Sequence, residues 1–289
     1  MGTVCAIILN YRNAQETLSC LASLDPARLD YVHLVDNSEM PAEEAKLRAA
    51  TESLCRGLGH PPINLIVNPA NMGYAKSVNT AIAQDLGANR QFDYYFLINN
   101  DAIGEKGLVS ALRKAIESDE SVVAVSPNIV EDGQKSCIKW YEPWFGTTFS
   151  RKTSLSVPYV TGCCLMVDAS FARDGRLFDE DFFMYGEDIW LCMQALGAGK
   201  SVRCVDDQTV EHKGAGSSRK GSLFYEYHMA RAQVLIATKS SRNVVDLLVK
   251  HLFRFAYLGL RSIVRSIRYR NLSPMLSVPM AWVRLEVRP

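Results

Sequence analysis

The sequence predicts an α/β fold: a mostly parallel central sheet flanked by helices, with a helical extension at the C-terminus. Three observations predict it. Short apolar runs rich in β-branched residues alternate with amphipathic stretches through residues 4–98, the pattern of strands and helices in turn. Three of those runs stop at polar clusters, Asn10-Tyr11, Asp36-Asn37 and Asn99-Asn100-Asp101, as buried strands do where they open into loops. From about residue 222 the character changes, and Lys250, Arg254, Arg261, Arg265 and Arg268 recur at a spacing that keeps them on one helix face.

In order, residues 4–9 read as a strand opening into Asn10-Tyr11-Arg12-Asn13, followed by a helix with Leu18, Leu21 and Leu24 on one face. Residues 31–35 form a second strand, residues 43–54 a helix, and residues 63–67 a third strand. Asn71-Met72-Gly73-Tyr74-Ala75 leads into a helix through Val78 and Ile82, and residues 94–98 form a fourth strand. In sheets of this kind ligands bind beyond the carboxyl ends of the strands. The first strand is not followed by G-x-G-x-x-G, which argues against a dinucleotide-binding dehydrogenase.

The second half is less regular. Strands are predicted at residues 122–125, 160–167 and 202–205, and a helix at 187–196 closed by Gly197 and Gly199. Residues 140–153 read as a loop or lid, and residues 214–218 as a flexible polar loop.

With 289 residues the chain suits one large domain, residues 1–221, plus an extension over 222–289. Within the domain, residues 1–125 form a first half and 126–221 a second. Hydrophobic residues at 48% and charged residues at 22% exclude a disordered chain, and a net charge of +1 argues against a nucleic-acid partner. The eight cysteines include no C-x-x-C pair and are expected to be reduced thiols, with no zinc. The N-terminus lacks a basic segment ahead of its short apolar run, and no apolar stretch reaches the ~18 residues of a spanning helix. A cytoplasmic protein is expected, peripheral on the inner face of the cytoplasmic membrane if the tail binds lipid.

Four clusters can carry chemistry. Asp101, just past a buried strand, is placed to hold a hard cation such as Mg²⁺ or Mn²⁺, although Asn99-Asn100-Asp101 would also make a good turn. Glu187-Asp188 can serve a helix dipole or supply a general base, and the acids and aromatics of residues 178–185 suggest a cleft wall. His212 is either structural or a ligand beside Lys213 and a glycine-rich loop. Gly73 can admit a ligand close to the backbone or simply shape a loop.

As an ordered set these residues resemble the family 2 inverting glycosyltransferases, especially the bacterial rhamnosyltransferase-like branch. The resemblance runs over residues 4–218: Ile7-Ile8-Leu9-Asn10-Tyr11, Val35-Asp36-Asn37-Ser38, Asn71-Met72-Gly73-Tyr74-Ala75 with Asn79, Leu97-Ile98-Asn99-Asn100-Asp101, Thr161-Gly162, Phe178-Asp179-Glu180-Asp181-Phe182-Phe183, Gly186-Glu187-Asp188 and His212. It implies a GT-A (Rossmann-like) fold and a nucleotide-sugar donor, with residues 1–125 as the donor half and 126–221 as the acceptor half. Tyr11 and Asp36 would contact the base, with Asn37 and Asn71 nearby. Gly73, Asn79 and Asn99 would line the ribose and diphosphate region, and Asn10 and Asn100 complete the donor set. Asp101 and His212 would hold Mg²⁺ or Mn²⁺, Asp188 would be the catalytic base, and Glu187 would position acceptor or sugar hydroxyls. Two residues depart from the pattern. Asn99 replaces the first carboxylate of the D-x-D motif, and Trp190 stands where relatives often carry Asp.

The branch favours dTDP-L-rhamnose as donor and a glycan or lipid-linked saccharide as acceptor, in bacterial surface polysaccharide assembly. Other readings are a UDP-hexose-using glycosyltransferase, a GT-A nucleotidyltransferase and a non-catalytic nucleotide-sugar-binding module. The basic, amphipathic tail over residues 242–270 is expected to lie with its arginines against anionic head groups, or else to pack on the domain or pair two subunits as a homodimer.

Overall fold

The computed structural model describes residues 2–56, 59–214, 219–285 and 287. The first half runs β1 (Val4–Asn10), α1 (Ala14–Ser23), β2 (Tyr31–Asp36), α2 (Pro41–Arg56), β3 (Ile63–Val67), α3 (Tyr74–Gly87), β4 (Tyr94–Asn99), β5 (Ala102–Gly104), α4 (Leu108–Glu117). The second runs β6 (Val122–Glu131), β7 (Gln134–Ser136), β8 (Lys139–Glu142), β9 (Thr147–Phe149), β10 (Val157–Tyr159), β11 (Cys164–Asp168), α5 (Glu187–Gly197), β12 (Ser201–His212), α6 (Leu223–Lys239), α7 (Val244–Tyr269), α8 (Ser273–Met280).

The central sheet has the order β3-β2-β1-β4-β11-β6-β12-β5, with β7 against β6. The first four strands are parallel. β11 runs antiparallel to both its neighbours and β5 antiparallel to β12, so the whole sheet is mixed. Strand residues alternate between two apolar layers. Cys5 and Ile7 pack with Val78 and Ile82 of α3 on one face, while Val4, Ala6 and Ile8 pack with Leu21 of α1 and Leu112 of α4 on the other. Burial on both faces makes β1 read as an unbroken apolar run. Asn13 caps α1, its side chain accepting from the Glu16 amide, and so turns the chain sharply just after β1.

Four expectations are corrected. Residues 140–153 are not irregular throughout: residues 140–142 and 147–149 lie in β8 and β9, which with β10 form a three-stranded antiparallel sheet, β10-β8-β9. Its strands are too short to show alternation. β6 and β12 are longer than predicted because their polar ends pair with each other and with β5 and β7. Residues 160–163 precede β11 rather than belonging to it. Lastly, Cys137 and Cys204 form a disulfide across the β6–β12 region, with Cα atoms 5.9 Å apart. Cys137 follows β7 and Cys204 lies on β12; both strands pair with β6, and that brings two residues distant in sequence within bonding range, which spacing cannot reveal. The predicted loop at 214–218 lies outside the described residues apart from Gly214.

Of the alternatives expected for the extension, packing on the domain is the one observed for the basic face of α7. Lys250, Arg254, Arg261 and Arg265 of α7 point inward, while Arg268 at its end is exposed. Arg254 is fully buried and donates to the Tyr141 hydroxyl at 2.6 Å and the Pro143 carbonyl at 2.8 Å. Lys250 reaches the Ser240 carbonyl and Asp246, and Arg265 chelates buried Glu226 of α6. The guanidinium of Arg254 fits because Gly146 has no side chain: a Cβ there would fall 1.4 Å from Nη1. Arginines committed to buried partners are not offered to lipid head groups. Among the described residues no helix is long and apolar enough to cross a membrane.

Candidate active site

β1, β2 and β4 end at the same edge of the sheet, with Asn10 paired to Asp36 and Leu9 to Asn99. Their ends open on a cleft of about 400 Å³. From the expected set, Asn10, Tyr11, Asn37, Asn71, Gly73, Asn99, Asn100, Asp101, Glu187, Asp188 and His212 all line it.

At the far end of the cleft, Asn10 donates to Asp36 at 2.8 Å and to Ser38 at 2.9 Å, and its carbonyl accepts from Thr17 at 2.7 Å. Asn37 is bonded to Ser77 and Asn68. The Tyr11 hydroxyl is buried without a hydrogen-bond partner, the condition of a polar atom awaiting a ligand or water. Two residues expected to touch donor are placed elsewhere. Asp36 is turned beneath the floor toward Asn10 and Ser38 and does not line the cleft. Asn79 accepts from the Leu177 and Phe178 amides and donates to the Phe178 carbonyl, so it ties down the acidic-aromatic loop instead.

Gly73 has φ +77°, and a Cβ there would stand 2.3 Å from the Phe183 carbonyl oxygen. Close approach of that loop, confirmed by the Tyr74 amide donating to the same carbonyl at 2.7 Å, demands glycine.

A second cluster forms where β5 pairs with β12. Register places His212 opposite Ala102, which brings His212 Nε2 to 3.2 Å from the Asp101 carboxylate. The Asn99 amide lies 3.4 Å from the same nitrogen. Two donors sharing an octahedral ion with bonds of about 2.1 Å stand about 3 Å apart, so this pair fits a hard divalent cation. Burial lowers the His212 pKa, but Asp101 and Glu131 outweigh it and the net shift is upward; the field that favours a proton there also favours a metal cation. Glu131, 3.8 Å from His212 Nδ1 and 3.4 Å from Lys220, escaped the sequence reading. The predicted strand stops at Val125, whereas β6 runs on to Glu131, a carboxylate before the Asp132-Gly133 turn that is the same strand-end signal as Asp101.

The third cluster opens α5. Tyr185 and Gly186 both have positive φ, 66° and 82°, and this tight turn delivers Glu187 and Asp188 to the cleft. The Asp188 carboxylate accepts from the Gly162 amide at 3.0 Å and the Ile189 amide at 2.7 Å. Glu187 Oε2 is buried with no partner. Burial, then repulsion from Asp188, pushes Glu187 up to about 8. Burial also raises Asp188, against the pull of its two amide donors. The pair therefore divides: Asp188 has hydrogen bonds that favour its charged form, and Glu187 has none from a neighbouring side chain. Trp190, the other departure, buries its indole N–H unpaired beside them. Phe224, Tyr225 and Met229 of α6 complete the wall, a contribution hidden in the sequence because α6 was read as part of a separate extension.

Residues 5–176 match the family described as Glycosyl transferase family 2. The N-acetylglucosaminyl-diphospho-decaprenol L-rhamnosyltransferase of Mycobacterium tuberculosis is 26% identical over 214 residues, covering 63% of this chain and 69% of its own. Among solved structures, the mannosyltransferase PcManGT from Pyrobaculum calidifontis, in complex with GDP-Man and Mn²⁺, superposes with a TM-score of 0.57 at 15% identity, over 99% of this chain and 76% of that one. TarS of S. aureus in complex with UDP-GlcNAc does so with a TM-score of 0.54 at 13% identity, over 96% and 79%. These two likenesses establish the GT-A fold. With the family match spanning more than half of the sequence, the chain belongs to glycosyl transferase family 2 and is a glycosyltransferase.

Proposed function

We propose that this enzyme moves L-rhamnose from dTDP-L-rhamnose to a hydroxyl of a lipid-linked saccharide, with inversion, at the inner face of the cytoplasmic membrane. One observation carries the mechanism: a single cleft holds the Asp101–His212 pair and the buried Glu187–Asp188 pair, with Glu187 Oε2 and the Tyr11 hydroxyl unpartnered. The donor and acceptor classes are supported by the 26% identical mycobacterial relative, whose name specifies an L-rhamnosyltransferase acting on a diphospho-decaprenol saccharide.

In this reading Tyr11, Asn37 and Asn71 receive the nucleotide, with Asn10 set from below by Asp36. Asn99 and Asn100 meet the diphosphate region. Asp101 and His212 hold Mg²⁺ or Mn²⁺, which when bound neutralises charge on the departing diphosphate. Asp188, anchored by two amides, takes the proton of the acceptor hydroxyl as its oxygen bonds to the anomeric carbon. The bond from that carbon to the diphosphate oxygen breaks on the opposite face, and the nucleoside diphosphate leaves with its electron pair. Glu187, protonated near neutrality, donates to a sugar oxygen.

A donor panel tests this. Protein with Mn²⁺ is incubated separately with dTDP-L-rhamnose, UDP-hexoses and GDP-sugars, and released nucleoside diphosphate is measured. Fastest metal-dependent release from dTDP-L-rhamnose is expected. Preference for a UDP-hexose would replace the donor while leaving the mechanism intact. Release from none would favour a binding module, and pyrophosphate production from a nucleoside triphosphate and sugar phosphate would favour a nucleotidyltransferase.

A further inference from the structure

The C-terminal helices present a polarity opposite to that of an ordinary surface helix. Every exposed residue of α7 between positions 244 and 267 is apolar, from Val244 and Leu248 through Leu252 and Phe255 to Leu260 and Ile267. Leu252 and Ile267 are 67% and 73% exposed. Leu272, Met275 and Leu276 continue the surface onto α8. On the other flank Phe145, 44% exposed, packs its ring 4.8 Å from that of Phe253. The combined apolar surface is on the order of 1,000 Å², against the roughly 300–600 Å² of the largest patch on a typical monomer.

The helix cannot roll to hide this face. Lys250, Arg254 and Arg265 are committed inward to Ser240, Tyr141, Pro143 and Glu226. Turning α7 about its axis would strand the buried Arg254 guanidinium and the Glu226 carboxylate without partners, a cost of several hydrogen-bonded charges.

We infer that the outer face of α7 and α8 seats this enzyme in the interfacial layer of an anionic phospholipid bilayer, the helices lying in the membrane plane with their apolar side chains among the acyl chains. Charge decides between lipid and a second copy of the chain. The exposed charged residues of segment 240–285 are Arg242, Arg268, Arg270 and Arg284, all cations, of which Arg284 stands 3.9 Å from Asp181. Its single acid, Asp246, faces Lys250 at 3.0 Å. A two-fold contact through this face would set arginine rims against each other with no carboxylate between them. Anionic head groups supply the missing charge around an apolar footprint. α7 is 26 residues long, about 39 Å, which is a long contact with a surface.

The inner face of the helix that carries this platform reaches the cleft wall. Arg265 lies over the Tyr225 ring at 5.6 Å, and Tyr225 lines the cleft wall. The inference rests on the proposed lipid-linked acceptor for its purpose and not for its test.

The test is flotation of the full chain with vesicles of phosphatidylglycerol and phosphatidylethanolamine, against vesicles of phosphatidylcholine alone. The wild type is expected to float with the anionic vesicles and to partition into neutral ones about tenfold less. A Leu252→Glu/Phe255→Glu/Val264→Glu variant, its folding checked by thermal melting, is expected to lose about a hundredfold in partitioning. An Arg268→Glu/Arg270→Glu variant alters only the rim and should lose the preference for anionic lipid. A wild type that stays unbound, or a triple variant that floats equally well, overturns the inference. So does light scattering that finds a wild-type dimer and a monomeric triple variant with neither bound to vesicles, which would assign the face to a second copy. None of these outcomes depends on which donor is used.

Discussion

Asp101 and His212 meet at 3.2 Å because β5, three residues long, folds back along the end of β12 and sets His212 opposite Ala102. Each residue alone is a strand-end polar group; the antiparallel register makes them a pair. If they hold the cation, Asp101→Asn removes its anionic ligand and His212→Ala its nitrogen. Each variant is expected to lower kcat/KM about a thousandfold and to shift the Mn²⁺ activation curve to higher concentration. A Mn²⁺ titration that superposes on the wild type for both would remove the pair from metal binding.

Glu131 stands on the far side of His212, 3.8 Å from Nδ1. At that distance the carboxylate acts on the ring by charge and not by a hydrogen bond, a positioning role and not contact with substrate. Glu131→Gln should weaken Mn²⁺ activation about tenfold, with kcat at saturating metal nearly unchanged. A loss of kcat that saturating metal does not restore would place Glu131 in the reaction itself.

The parallel half of the fold was legible because β1, β2 and β4 are buried on both faces and end on Asn or Asp. Those ends also revealed most of the site. Pairing created what stayed hidden. β8, β9 and β10 are stabilised by each other and carry no period of their own. Asp36 and Asn37 are adjacent and face opposite ways, so the sequence could not say that one supports the floor and the other lines the cleft. Asn79 matched the motif, yet its amide is spent on the backbone of residues 177 and 178. In α7 the periodicity put Lys250, Arg254, Arg261 and Arg265 on one face, though not Arg268, and could not say which face turned outward. Glu226 and Tyr141, distant in sequence, decide that.

Gly73 tests whether the loop carrying Phe183 is held by backbone contact. Alanine there would have an unfavourable φ of +77° and a Cβ 2.3 Å from the Phe183 carbonyl. The loop must move, and the Tyr74 amide bond to Phe183 is lost with it. Gly73→Ala is expected to destabilise the protein by about 2–4 kcal/mol, read by chemical denaturation. A change below about 0.5 kcal/mol would mean that the approach is looser than described.

Asp188 keeps two amide donors whether or not it exchanges a proton with substrate. Asp188→Asn keeps the size and removes basicity, while its NH2 group can no longer accept from one of the two amides. Turnover is expected to fall about a thousandfold while the donor dissociation constant changes less than about threefold. Wild-type turnover in the variant would take Asp188 out of the mechanism.

Glu187 makes the acid pair visible in stability. Its folded pKa is raised to about 8 from an ordinary 4.5, by burial and by Asp188. Below 4.5 both states are protonated and the group is neutral in effect. Between 4.5 and about 8 the native protein holds a proton that the unfolded chain has released, so stability falls as pH rises across that window. Asp188, also raised, adds a contribution of the same sign. Glu187→Gln cannot ionise and relieves Asp188 of its neighbour's charge. Its melting temperature should decline less than that of the wild type between pH 5 and pH 8, and should exceed it at the alkaline end. Parallel melting curves for the two proteins across that range would show that Glu187 ionises normally and is not the proton donor assigned to it.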